Sequence, residues 1–147
     1  MAYICTSTAI FRLRSKPQAV WDVVTDNTRT GWRSDLNKVI CDDDTHWKEI
    51  TSGGYCTHFT LLEKIPLKRY TFILQNARML GRWTGTFRPL SDGGTEATFV
   101  EEVEFGSLLF YLLCRLSRYL KRMQHRYIDD LKRALKEEDA KKPVLAP

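Results

Sequence analysis

At Gly106 the hydrophobic period of this chain changes from two to 3.6, and that switch limits the architectures open to it. Up to Phe105 the sequence runs in short alternating stretches broken by turn residues. Beyond it, apolar side chains recur at Leu109, Leu113, Leu116, Leu120, Met123, Tyr127, Leu131 and Leu135. The reading is an antiparallel meander followed by one amphipathic helix of about 30 residues, or about 45 Å. In a chain of 147 residues such a helix has to cross the whole sheet. The fold class expected is therefore α+β, a sheet packed on a long C-terminal helix.

Residues 3–13 alternate and form the first strand, with Tyr3, Cys5, Ser7, Ala9, Phe11 and Leu13 on one parity. Ser15-Lys16-Pro17-Gln18 has the form of a capping box, with Pro17 in the first turn of a short helix carrying Val20, Trp21, Val23 and Val24. A second short helical or turn segment follows around Asn27 to Asp35 and carries Trp32. Strand-like runs then occupy approximately 36–42, 46–51, 54–65, 68–76, 80–90 and 95–105, for about seven strands in all. The last turn, Ser91-Asp92-Gly93, places Gly93 where a left-handed backbone is needed.

The chain carries a formal charge of +5, and the excess is local. Residues 1–105 hold 13 basic and 13 acidic side chains, whereas 106–147 hold 10 and 5. One domain is expected over 1–136, with 137–147 a flexible tail lacking periodicity. The N-terminal sequence has no apolar run behind a basic region, so a cytoplasmic location is expected. Cys5, Cys41, Cys56 and Cys114 are scattered and read as reduced thiols. Cys56 and His58 share a strand face, but no second close pair completes a metal site, and no metal or cofactor is expected. No Ser-His-Asp spacing, phosphate-cradling glycine loop or HExxH pattern is present.

A strand, two short helices, a meander and a long final helix is the element order of the helix-grip fold. The sequence resembles the SRPBCC superfamily, which includes START domains, polyketide cyclase/dehydrase-like proteins and the birch pollen allergen group. The matching residues are Phe11, Leu13, Pro17, Val20 and Trp21 at the opening strand and helix, then Trp32. Gly81, Trp83, Phe87, Pro89, Gly94-Thr95, Glu101-Glu102-Val103-Glu104 and Gly106 carry the likeness at the last hairpin. These are structural motifs, so they speak for the fold more than for an activity. The resemblance implies a curved sheet wrapped around the helix, with an apolar cavity between them.

On the last hairpin the odd positions Trp83, Gly85, Phe87, Ala97, Phe99, Val103 and Phe105 are expected to face inward, and Glu101 breaks that pattern. Either plausible register sets it opposite Trp83 or Gly85, where aromatic surroundings would raise its pKa. Trp32, Phe59, Phe72, Trp83, Phe87, Phe99 and Tyr111 are the expected cavity lining. The function expected first is noncatalytic binding or transport of a hydrophobic small molecule: a lipid, a quinone or an aromatic, polyketide-like metabolite. A cyclase or dehydratase using Glu101 as acid or base is the alternative. Arg115, Arg118, Arg122 and Arg126, with Lys121, form a basic ridge on the final helix, which suits peripheral contact with an anionic membrane. No nucleic-acid motif accompanies the ridge, so nucleic acid is not an expected partner.

Overall fold

The computed structural model describes residues 3–137. Seven strands, β1 (Tyr3–Leu13), β2 (Leu36–Cys41), β3 (His46–Thr51), β4 (Cys56–Ile65), β5 (Arg69–Gln75), β6 (Met79–Pro89) and β7 (Thr95–Phe105), form one antiparallel sheet in the order β1-β7-β6-β5-β4-β3-β2. Helix α1 (Pro17–Thr25) follows β1, while α2 (Leu108–Ser117) and α3 (Tyr119–Ala134) follow β7. The chain is α+β with the helix-grip arrangement. Only β1 leaves sequence order, lying beside β7. The C-terminal helices then pack beside the strand that begins the fold.

The β6–β7 register settles which side chains face the core. Pro89 pairs with Thr95 and Trp83 with Glu101, and Gly93 in the turn has a φ of +90°, the region glycine enters without steric cost. Trp83, Gly85, Phe87, Ala97, Phe99, Val103 and Phe105 are all buried. At Gly85 a Cβ would meet the ring of Trp83 at 2.6 Å. The missing side chain lets that indole fold back against its own strand.

Four local expectations are corrected. Ser15 does not cap α1. Lys16 is the N-cap and makes no side-chain capping bond, whereas the Ser15 hydroxyl donates to Glu137 at 2.7 Å. Residues 27–35 hold a series of turns, the second of the two forms expected for this segment, so the second short helix of the fold expectation does not form. Ser34 N–H and Oγ both donate to the buried carboxylate of Asp130 at 2.8 Å, which fastens this segment to α3.

The expected single C-terminal helix is two helices. Arg118 adopts a left-handed conformation, φ 55° and ψ 39°, which ends α2 and starts α3. Only α3 puts its apolar stripe inward: Leu120, Ile128 and Leu131 are buried, and Met123 and Tyr127 are half-buried. In α2 the burial is reversed, since Leu108, Leu109, Leu112, Leu113 and Leu116 are exposed and Cys114 is buried.

The expected tail begins with a residue that is held in place. Glu137 is buried and accepts hydrogen bonds from the backbone N–H groups of Arg14 and Ser15. The remainder of that tail, 138–147, lies outside the described residues. No helix among the described residues is long and apolar enough to cross a membrane.

Candidate functional site

Between the inner face of the sheet and α3 lies a chamber of about 150 Å³. Its apolar wall follows from strand alternation. Phe59 on β4, Phe72 on β5, Trp83 on β6 and Phe99 on β7 reach the same side and make an edge-and-face series of rings. Phe72 and Trp83 stack with centroids 5.0 Å apart, and Trp83 meets Phe99 at 4.7 Å. Much of the space that the curved sheet could enclose is thus filled by rings.

Not every expected lining residue reaches the chamber. Phe87 packs below it against Trp21 and Phe99. Tyr111 lies on α2 beside Tyr3 and receives a hydrogen bond from Arg115. Trp32 is turned away, edge-on to Tyr127. These three come from elements correctly placed near the cavity, but each ring finds a closer packing partner. Trp32 Nε1 is buried without a hydrogen-bond partner among the described residues.

Glu101 does face the chamber. Among the described residues no group donates a hydrogen bond to its carboxyl. Burial raises its pKa to about 7, the nearby Glu49 charge pushes the same way, and Arg33 opposes both. Arg33 is a centre that sequence reasoning missed. Its guanidinium donates to both carboxylate oxygens of Asp35 at 3.0 Å and to Glu49 at 3.3 Å, and lies 4.9 Å from the Tyr127 ring centroid. Burial alone would lower the Arg33 pKa, yet Glu49 and Asp35 hold it fully protonated. Glu49 in turn is raised by burial and drawn back down by Arg33 and by a bond from Trp47 Nε1.

The chamber is closed at depth by polar groups with their own partners. Gln124 accepts from Ser7 Oγ at 2.7 Å and donates to the carbonyls of Ser7 and Phe99. Tyr127 also lines the wall, its hydroxyl pKa raised by burial. Of these residues Tyr127 lies on the apolar stripe of the final helix, and Glu49 shares the parity of the buried Trp47 on β3. Arg33 sits in an irregular segment without periodicity.

A wider groove of about 630 Å³ adjoins the chamber, sharing Asp35, Thr51, Thr57, Met79, Tyr119 and Met123 with it. Phe110, Leu113, Cys114 and Ser117 of α2 line its outer side. The geometry is an aromatic inner pocket with one unpartnered carboxyl, opening toward a groove beneath α2. His58 and Cys56 point outward, both exposed. No group of His, Cys, Asp and Glu side chains suited to a metal is found among the described residues.

The basic ridge does not survive as one surface. Arg126 donates to Ser34, Lys121 donates to the Thr8 carbonyl and Arg122 donates to the Ser117 carbonyl. The break at Arg118 separates Arg115 from the α3 residues. Arg115, Arg118 and Arg122 gather at the C-terminal end of α2, while Lys121 and Arg126 serve internal contacts.

Comparison with known proteins supports the architecture and goes no further. No family model and no curated protein matches the chain. Among solved structures it is similar to a conserved protein of Geobacillus kaustophilus, with a TM-score of 0.75 and 12% identity over 90% of this chain and 96% of that one. The protein XoxI of Bacillus cereus gives a TM-score of 0.72 at 11% identity, covering 92% and 98% of the two chains. A protein of Rhizobium loti gives 0.70 at 17%, covering 88% and 99%. At these identities the likeness establishes the fold alone.

Proposed function

We propose that this protein binds a small apolar molecule in the chamber between the sheet and α3, with a polar group of that molecule meeting Glu101. The observation that carries the reading is the Glu101 carboxyl, which faces an aromatic pocket and has no hydrogen-bond partner among the described residues. A carboxyl set among aromatic rings makes a stronger hydrogen bond than one in open water. A ligand supplying a donor gains that bond.

A chamber of about 150 Å³ has room for a single ring, about the size of benzene. Longer parts of a ligand would extend into the adjoining groove. A ring bearing a hydroxyl or amino group fits this division, which narrows the lipid, quinone or aromatic metabolite expected from the SRPBCC resemblance to molecules with a ring-sized inner end. Thermal denaturation with small phenols, anilines and their hydrocarbon isosteres tests it. The expected result is a melting temperature that rises with concentration for donor-bearing rings, accompanied by a change in tryptophan fluorescence from Trp83. Glu101→Gln should lose the preference over the hydrocarbons. If no such ring stabilises the protein, and native mass spectrometry of material from its own host shows no adduct, the reading is wrong.

A second reading rests on a separate observation: the Glu101 pKa stands near neutrality and a second carboxylate, Glu49, lies close enough to affect it. That pairing suits proton transfer in a cyclase or dehydratase. A turnover profile with an inflection near pH 7, absent in Glu101→Gln, would distinguish catalysis from simple binding.

A further inference from the structure

The outward face of α2 is the part of the molecule least explained by folding. At 100° per residue, Leu108, Leu112, Leu116, Leu109 and Leu113 fall within one continuous arc, while Phe110, Tyr111 and Cys114 occupy the opposite side. A helix of a soluble domain normally turns such an arc toward the core. Here it faces solvent, with relative exposures from 42% at Leu112 to 81% at Leu116. The inner side is well held: Cys114 is buried with Val103, Phe105 and Leu120, and Ser107 Oγ caps the helix by accepting from Phe110 N–H. Rotating the helix to hide the leucines would sacrifice those contacts.

Charge identifies what the arc meets. From Gly106 to Ile128 there is no acidic residue. Arg115 and Arg118 are exposed on α2 and at its end, Arg122 is fastened there through Ser117, and Arg78 lies 4.9 Å over the Phe110 ring on the inner side of the helix. An apolar ridge rimmed by cations would repel a second copy of itself, but it matches a lipid surface whose headgroups are anionic and whose acyl region is apolar.

We propose that α2 is a membrane-docking element that lays its leucine arc into the interface of an anionic bilayer, with Arg115, Arg118 and Arg122 against the headgroups. The proposal does not rest on the ligand assigned to the chamber. The two are connected in space, since the inner side of α2 lines the groove that leads to it. Docking would bring that groove to the lipid surface.

Cosedimentation of the full chain with phosphatidylcholine vesicles, with and without phosphatidylglycerol, is the test. Binding is expected only where phosphatidylglycerol is present, and it should weaken with added salt. Leu109→Ser with Leu116→Ser should weaken it by about tenfold or more; neither residue lines the chamber or the groove, and both are exposed, so the variant should keep its melting temperature. Arg118→Gly with Arg122→Gln, in which glycine retains the left-handed turn, should weaken binding to a similar extent. The proposal is overturned if the parent protein ignores phosphatidylglycerol or if the leucine variant binds as the parent does. It is equally overturned if the parent self-associates without vesicles and the leucine substitutions abolish that association, which would assign the arc to a second copy.

Discussion

Glu101 is ionised in water at neutral pH, but in the fold it sits near the midpoint of its titration. Its folded-state pKa is raised from 4.5 to about 7, first by desolvation and then by Glu49. A raised carboxyl pKa means that the folded state binds the proton more tightly than the unfolded chain. Glu101 therefore contributes its full stability below about pH 4.5, and that contribution is lost as pH rises toward 7. Glu101→Gln should abolish this component, leaving the variant more stable than the parent at pH 8 by up to about 3 kcal/mol. Urea unfolding at pH 5 and pH 8 measures it; an unchanged pH dependence would contradict the environment described. The position was legible because Glu101 interrupts an inward apolar parity. Glu49 gives the same signal beside Trp47, but a weaker one, since β3 has only six residues in which to establish a parity. Arg33 had none, because an irregular segment supplies neither period.

At the scale of the element, strands were easier to place than the final helix. Alternation and turn chemistry bounded β1 through β7 closely, with Gly93 at a true positive φ. The C-terminal leucines kept a helical spacing straight through residue 118, so no change of period marked the break, and arginine is not a residue that normally ends a helix. Spacing shows that a helix has an apolar side. It does not say whether the molecule covers that side, which is why α2 and α3 read alike and pack oppositely. The left-handed turn makes a specific forecast. Arg118→Gly should be neutral or stabilising by up to about 1 kcal/mol, whereas Arg118→Val, with a branched side chain at φ 55°, should destabilise by more than that. Paired melting curves decide it, and equal effects would argue for an unbroken helix.

Across the whole molecule, the segment between α1 and β2 is the piece that joins the sheet's far edge to α3. It brings Arg33 and Asp35 to the chamber, and its fastening to α3 centres on Ser34, which donates to the buried carboxylate of Asp130 and accepts from Arg126. Asp130→Ala should cost roughly 2 to 4 kcal/mol by taking the shared acceptor from the Ser34 N–H and hydroxyl. It should also lower ligand affinity in the chamber, although Asp130 does not line it. A variant with lost stability and intact affinity, measured well below its melting temperature, would show that the segment holds its position without the clamp.

The sheet's outer strand on that side has a further consequence. Strand β2 is only six residues long, carries a register shift between Leu36 and Lys38, and runs into Asp42-Asp43-Asp44. A short, irregular border with charges at its end is a poor template for another chain's backbone. Growth of the sheet from molecule to molecule is thus discouraged at this border, so any pairing between copies is directed away from the strand beside the chamber's polar rim.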